Sequence, residues 1–387
     1  MTRTKTVIVG AWAMIFMTAL MRGMVDEMVK DGIKTLPGHV QVHHPAYQAD
    51  PSVANSIAEP SGELLFALGQ PEVVAWASRI KVPAVVSSER NTRGVVLVGI
   101  DPERERDLSF VAGDMADGRF LESPEDEGLV VGRKLLERLE TDAGKRVVVM
   151  SQDRENEIAD RGFRVVGVYD SRLQAQEEGF VFAGRATVQR LLHMDDQVSE
   201  IAVLGTDYRN VDGLRDRVAA AAGPDMAVEA WPVLEPYLGS MLPMMDGFVF
   251  VWIVVVFLAL AFGLVNTLVM AVFERVREIG LMLALGMTPG SIRAQIITES
   301  TILLALGLFI GDLLAWLTVK PLEKGIDLSI VGEGMEYFGA AAVLYPAFRW
   351  EDVILANVIV LVLGFLASLS PAIRASRYEP VEAITKV

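Results

Sequence analysis

The sequence predicts a membrane protein, with four transmembrane α-helices and a large α+β extracytoplasmic domain inserted between the first and the second. Three observations predict it. Of 387 residues, 52% are hydrophobic, slightly above the share usual in a soluble domain. Many of these residues gather in four long, nearly uncharged runs. The charge is divided as well: residues 26–246 hold 38 acidic and 23 basic side chains, the whole of the net charge of −15, while the remainder balances.

A membrane-spanning helix needs about 20 mostly apolar residues. Thr6 to Met21 (TVIVGAWAMIFMTALM) is the first run, extendable to Val25 if Arg22 snorkels to the interface. Gly247 to Phe273 is the second and is uncharged. The third, Ile296 to Val319, is interrupted only by Glu299 and Asp312, which read as residues near the inner and outer interfaces. Val353 to Ile373 is the fourth. The first run is not read as a signal peptide, because no small-x-small cleavage site follows and Asp26 and Glu27 come at once.

Orientation follows the excess of Lys and Arg in short cytoplasmic loops. Arg3 and Lys5, then Arg275, Arg277 and Arg293, then Arg374, Arg377 and Lys386 all fall on one side if the chain starts inside. Both termini are then cytoplasmic, and residues 26–243 and the loop 320–352 lie outside.

The composition excludes several classes of chemistry. With no cysteine there is no disulfide, thiolate nucleophile or Cys-ligated metal. An acidic balance argues against a nucleic-acid binder. No glycine-rich loop ends in Gly-Lys-Ser/Thr, so ATP hydrolysis by this chain is not expected. No catalytic residue and no metal site are assigned. The His39, His43 and His44 cluster reads as incidental imidazoles on a partly exposed strand, with 39 and 43 on one face.

Residues 26–243 alternate short β-rich runs with helical ones. Strands are expected at 95–100, 128–132, 145–150, 163–170 and 200–205. Helices are expected at 133–140, 186–194 and 211–223, where apolar residues recur at helical spacing and glycines stop some of them. A domain of about 220 residues is large enough to bury its own core.

Between the second and third spans, Glu274, Arg275, Arg277 and Glu278 make a charged turn, followed by an apolar helix that stops at Gly286. Thr288-Pro289 then opens another helix, with proline at its first position. The reading is a short amphipathic helix on the inner face, about 274–290.

That segment carries a resemblance. ERVREIGLMLALGMTPGSI (274–292) is similar to the E-R-x-x-E-I-G-x-x-x-A-x-G signature of the FtsX/MacB/LolC-LolE superfamily of ABC transporter permeases. SPAIRASRYEPVEAI (370–384) resembles the closing motif of the same superfamily. Within it, GVVLVGIDPERERDLSF (94–110), GLVVGRKLLERL (128–139) and the region of Trp231 resemble the lipoprotein-releasing LolC and LolE type. Two departures stand out: the ATPase domain of MacB is absent, and only five residues precede the first span. Members usually carry an amphipathic helix there, so the start is either shortened or lacks that anchor.

The resemblance implies a division into span one (1–25), a MacB-like periplasmic domain (26–243) and an FtsX-like permease domain (244–387). It implies a permease subunit in a bacterial inner membrane, partnered by a dimer of separate ABC ATPase subunits that use ATP and Mg, and by a second permease copy or paralogue. The chain itself would bind no cofactor and no nucleic acid. The helix at 274–290 would dock on the ATPase through Glu274, Arg275, Arg277 and Glu278, with Gly280 and Gly286 allowing close approach. A lipoprotein or lipid client would enter from the outer leaflet between spans one and two. Met17, Met21, Met24, Met244, Met245 and Phe248 are the candidates to line that cavity, methionine being adaptable to varied apolar partners. The alternatives are MacB-like mechanotransmission for efflux of peptides or drugs, and FtsX-like regulation of a cell-wall hydrolase without transport.

Overall fold

A computed structural model describes residues 2–171, 174–327 and 343–375. Arg377, Lys386 and the rest of the closing motif past Ala375 lie outside the described residues, as do 328–342. Helix α1 (Thr2–Thr35) comes first, and a chain of short elements follows: β1 (Val40–His43), β2 (Val73–Ser87), β3 (Thr92–Ile100), α2 (Pro102–Glu105), β4 (Met115–Gly118) and β5 (Gly128–Gly132). Next come α3 (Arg133–Leu139), β6 (Arg146–Gln152), β7 (Ile158–Tyr169), β8 (Phe180–Gly184), α4 (Arg185–Leu191), β9 (Glu200–Gly205), α5 (Asp212–Ala221) and β10 (Ala227–Ala230). Four long or amphipathic helices close the chain: α6 (Pro236–Glu274), α7 (Val276–Ala284), α8 (Pro289–Leu322) and α9 (Trp350–Ala375). The chain divides into two compact units, one of 28–241 and one holding 2–27 with the described residues after 241.

In the inserted domain these ten strands form one sheet, ordered β10-β1-β9-β2-β3-β8-β5-β7-β4, and the short strands Ile57–Ala58 and Gln197–Val198 pair apart from it. Strand β6 pairs with both β2 and β7, which closes β2, β3, β8, β5, β7 and β6 into a six-strand ring. Inward positions alternate along each strand, as the period of two demands. Val82, Ala84 and Val86 on β2 face the same core as Val95 and Leu97 on β3 and Val147 and Val149 on β6. Leu135 and Leu139 of α3 and Val188 of α4 complete that core. A second core forms around Val98, Val130 and Phe182, where Phe110, Tyr169 and Phe182 meet edge to face with centroids 5.5–5.9 Å apart. Leu36, just past α1, is buried in it.

A fully buried ion network stands beside these cores. Arg79 of β2 donates to both carboxylate oxygens of Glu105 at 2.6 and 3.0 Å, and lies 3.5 Å from Glu200. Its remaining donor reaches the carbonyl of Leu36, one of the orphan acceptors that a helix C-terminus leaves. Burial by itself would depress the Arg79 pKa, but the two carboxylates hold it above its usual value. Glu105 lies in the GVVLVGIDPERERDLSF stretch (94–110), and Asp101 of the same stretch caps α2 by accepting from the Glu103 amide at 3.2 Å. The sequence motif therefore builds the partner of a buried arginine.

The histidine cluster differs from expectation. Strand β1 is not partly exposed; it lies between β9 and β10, and all four of its residues are buried. His39 accepts from the Gly205 amide at 3.0 Å, and burial depresses its pKa. His43 bonds the His44 carbonyl at 2.8 Å.

Among the described residues, four helices are long and apolar enough to span a bilayer, within α1, α6, α8 and α9. Helices α1 and α8 approach through Gly307 and Gly311, where an added Cβ would come within 2.7 Å of Val7 and of Ala11. This is the small-xxx-small contact that replaces hydrophobic attraction between helices in lipid. Trp12 donates to Thr318 at 3.0 Å along the same seam. Asp312 is half-buried about three turns inside the end of α8, and Asn357 of α9 donates to it at 2.7 Å.

Arg22 corrects another expectation. It does not snorkel; it is buried, donating to both oxygens of Asp352 at 2.9 and 2.8 Å and to Asp246 through Nη1. The Asp352 side chain is 11% exposed and that of Asp246 65%.

Two stability predictions follow from these burials. Arg79→Met leaves two buried carboxylates without their cation and should cost about 3–5 kcal/mol, whereas Arg133→Ala, which removes an exposed partner of Asp170, should cost about 1 kcal/mol or less. Likewise Asp352→Asn should lower the melting temperature of the detergent-purified protein far more than Asp246→Asn, about 3 kcal/mol against about 1 or less. Thermal unfolding followed by tryptophan fluorescence checks both; equal losses within either pair would contradict the ranking.

Candidate functional site

Helix α7 has two unlike faces. Val276, Ile279 and Gly280 are buried, and Ile279 packs with Val272 of α6 and Ile292 of α8, supported by Met282, Leu283 and Ile296. The other face carries Arg277 and Leu281 at i and i+4, with Glu278 beside them and Leu285 in the turn that follows, all exposed. Leu281 is 55% exposed and Leu285 79%. Two apolar side chains rimmed by charge are thus left open at this end of the membrane helices.

The helix is shorter than expected. It begins after Arg275 and ends at Ala284, so Glu274 belongs to the end of α6, and 285–288 form a turn. Gly286 in that turn has φ +94°, a backbone region that glycine enters freely and leucine does not. Helix α8 then starts as its sequence dictates: the Thr288 hydroxyl accepts from the Ser291 amide, and Pro289 occupies the first position. Arg275 is not turned outward alone, since it pairs with Glu299 of α8 at 3.2 Å. Both line a cleft with Glu278, Ile279, Gln295 and Leu303. Thus Arg277, Glu278 and Gly286 are exposed, Arg275 ties α7 to α8, and Gly280 is buried in the packing.

The methionine candidates separate by face. On α6, Met245, Val249, Ile253 and Phe257 form a buried stripe, whereas Met244, Phe248, Val251 and Val255 are exposed. On α1, Met17 and Met24 are exposed, Met21 is half-buried and Met14 is buried. The exposed members on each helix recur at helical spacing and so share a face, but Met245 belongs to the packing. A narrow cavity is lined by Met14, Thr18 and Ala19 of α1, Ile253 of α6, and Asp352 and Ala356 of α9.

Sequence reasoning missed Asp246 and Asp352 as partners of Arg22, and Leu281 and Leu285 as an open apolar surface. The first was findable: an arginine within an apolar run needs a carboxylate, and both aspartates sit at the edges of other apolar runs. Elsewhere, Asp153, Glu155 and His193 place ligand-type atoms within 4.8 Å of one another. Asp153 accepts from the Glu155 and Glu157 amides and bonds His193 at 3.1 Å, so the group already serves to close a turn.

Comparison with known proteins agrees with this architecture. Residues 5–221 match the MacB-like periplasmic core domain family and residues 250–380 the FtsX-like permease C-terminal family. The chain is 23% identical over 388 residues to the lipoprotein-releasing system transmembrane protein LolC of Xylella fastidiosa, covering 97% of this chain and 91% of that protein. LolC of Neisseria meningitidis serogroup B is likewise 23% identical, over 97% and 91% of the two chains. LolE of Haemophilus influenzae is 21% identical, over 81% and 78%. With more than half its length in the first match and its last three membrane helices in the second, the chain belongs to the family of membrane permeases that join a MacB-like periplasmic core domain to an FtsX-like permease domain.

Proposed function

We propose that the chain is the membrane subunit of an ABC complex that releases lipoproteins from a bacterial inner membrane, with ATP hydrolysed by a separate ATPase dimer. The observation that carries this reading is the end-to-end match to LolC, which takes in the membrane helices and the inserted domain alike. A second permease, either a copy or a paralogue, completes the assembly. The chain does no chemistry itself; it converts the partner's closure into movement outside the membrane.

The faces of α7 support a coupling role. Its buried side is locked to α6 and α8 by Ile279 and Ile292, and by the Arg275–Glu299 pair alongside. A push on the exposed side would therefore reach two membrane helices directly instead of being absorbed in a loop. Arg277, Glu278, Leu281 and Leu285 are the residues assigned to the ATPase groove, the charges setting register and the leucines supplying buried apolar area. Positive charge at the ends of the spans supports an orientation with α7 and both termini in the cytoplasm and the inserted domain outside. An acylated client enters between α1 and α6, where Met17, Met24, Met244 and Phe248 offer exposed, adaptable apolar side chains.

The triple variant Arg277→Glu/Glu278→Arg/Gly286→Leu should still insert in the membrane but bind its ATPase about tenfold more weakly, equivalent to about 1.4 kcal/mol. Co-purification from detergent, with stimulated ATP hydrolysis as second readout, tests this; unchanged association and stimulation would remove the coupling role. For topology, single cysteines are placed in a chain that has none. An impermeant thiol reagent on spheroplasts should label Ala143→Cys and spare Ser291→Cys, both positions being exposed. The opposite pattern would reverse the orientation.

A further inference from the structure

The first membrane helix is not held equally by its neighbours. Between Ala19 and Asp26, α9 and the segment leading into it clasp α1 by backbone and side chain together. The Ala347 amide donates to the Ala19 carbonyl at 2.9 Å. The Tyr345 carbonyl lies so close to Gly23 that an added Cβ would stand 2.0 Å from its oxygen. Arg22 holds Asp352 through two parallel bonds, and Arg349 donates to Asp26 at 3.3 Å.

Toward α6 the same stretch of α1 makes a different kind of contact. Arg22 reaches Asp246 through one nitrogen, and that carboxylate is mostly exposed. A bidentate bond to an enclosed carboxylate is harder to part than a single bond to a carboxylate open on its far side. Release of Asp246 leaves Arg22 neutralised by its bidentate partner. Release of Asp352 would leave a buried cation facing only an exposed carboxylate. The two bonds therefore differ in kind, and the weaker one lies on the α1–α6 side.

We infer that α1 and α9 move as one body, and that α6 parts from them at the level of Arg22 by giving up the Arg22–Asp246 contact, a latch on the seam between the first and second membrane helices. Gly10 of α1 meanwhile stays packed against Leu260 of α6. The inference deepens the proposed function and rests on it, since that is the seam an acylated client would enter. The buried stripe of α6 supplies the reporter: Met245 lies on it beside Asp246, and Ile253, two turns further, lines the narrow cavity shared with Met14 and Thr18 of α1. Ala356 of α9, buried and lining the same cavity, reports on the side that stays closed.

The test uses the full chain in its ATPase complex, without nucleotide, carrying either Met245→Cys or Ala356→Cys as its single cysteine. Modification by a small water-soluble maleimide is timed with Asp246 intact, as Asp246→Asn and as Asp246→Glu. The expected result is a several-fold faster reaction at position 245 in Asp246→Asn, reversal of the gain by Asp246→Glu, and a rate at position 356 that does not move. A rise of equal size at both positions would show general loosening and overturn the latch, and so would an unchanged rate at 245. Because no nucleotide is present, the asymmetry does not depend on coupling. If the α7 triple variant keeps its ATPase, the proposed function fails while the labelling result stands.

Discussion

An arginine buried within a membrane helix is costly unless it snorkels to the interface or is neutralised by partners from neighbouring helices. In this protein that requirement falls on Arg22 and decides how the membrane helices meet. Asp352 comes from 330 residues away and Asp246 from 224. Their positions bring the start of α9 and the first third of α6 against α1. The glycine contact of α8 at Gly307 and Gly311 then fixes the remaining neighbour by close packing rather than by charge. One ionic requirement and one steric one thus bring α6, α8 and α9 against α1.

The inserted domain repeats the logic without lipid. Arg79 is wholly buried, and its guanidinium is divided among Glu105, Glu200 and the Leu36 carbonyl. A buried network of this kind is a poor source of stability compared with apolar packing. What it supplies is position: a single arrangement of β2, β9, α2 and the segment after α1 satisfies it. The two arginines fall where the chain needs a fixed geometry, one within α1 and one at the carbonyl just past its end.

Much of this was legible in the sequence. The four spans stand out because a bilayer imposes a minimum run of apolar residues, and the start of α8 was legible because Thr288-Pro289 is a helix opening with a physical reason. The β-rich runs at 128–132 and 200–205 are observed as strands with those bounds. Strand β2 was not legible: Pro83 interrupts it, and a proline in a run argues against a strand. Burial of β1 escaped notice because histidine and glutamine at 39–43 read as polar, although a central strand can bury such groups when their bonds are met. At the candidate site the charged residues of α7 were legible but their division was not. That Arg275 turns back to Glu299 while Arg277 faces out depends on helix phase, which a one-residue change in the helix start decides. The partners of Arg22 are far off in sequence, but the need of a buried arginine for a carboxylate pointed to them.

The central claim is that ATP hydrolysis by a partner is turned, through α7, into extraction of an acylated protein from the membrane. Its most direct test is a reconstitution: the complex in proteoliposomes with a fluorescent triacylated lipoprotein in the bilayer and a soluble acyl-binding acceptor outside. The account predicts transfer of the lipoprotein to the acceptor only when ATP is hydrolysed, and not with a non-hydrolysable analogue. Full ATP turnover with the lipoprotein still in the bilayer would contradict it.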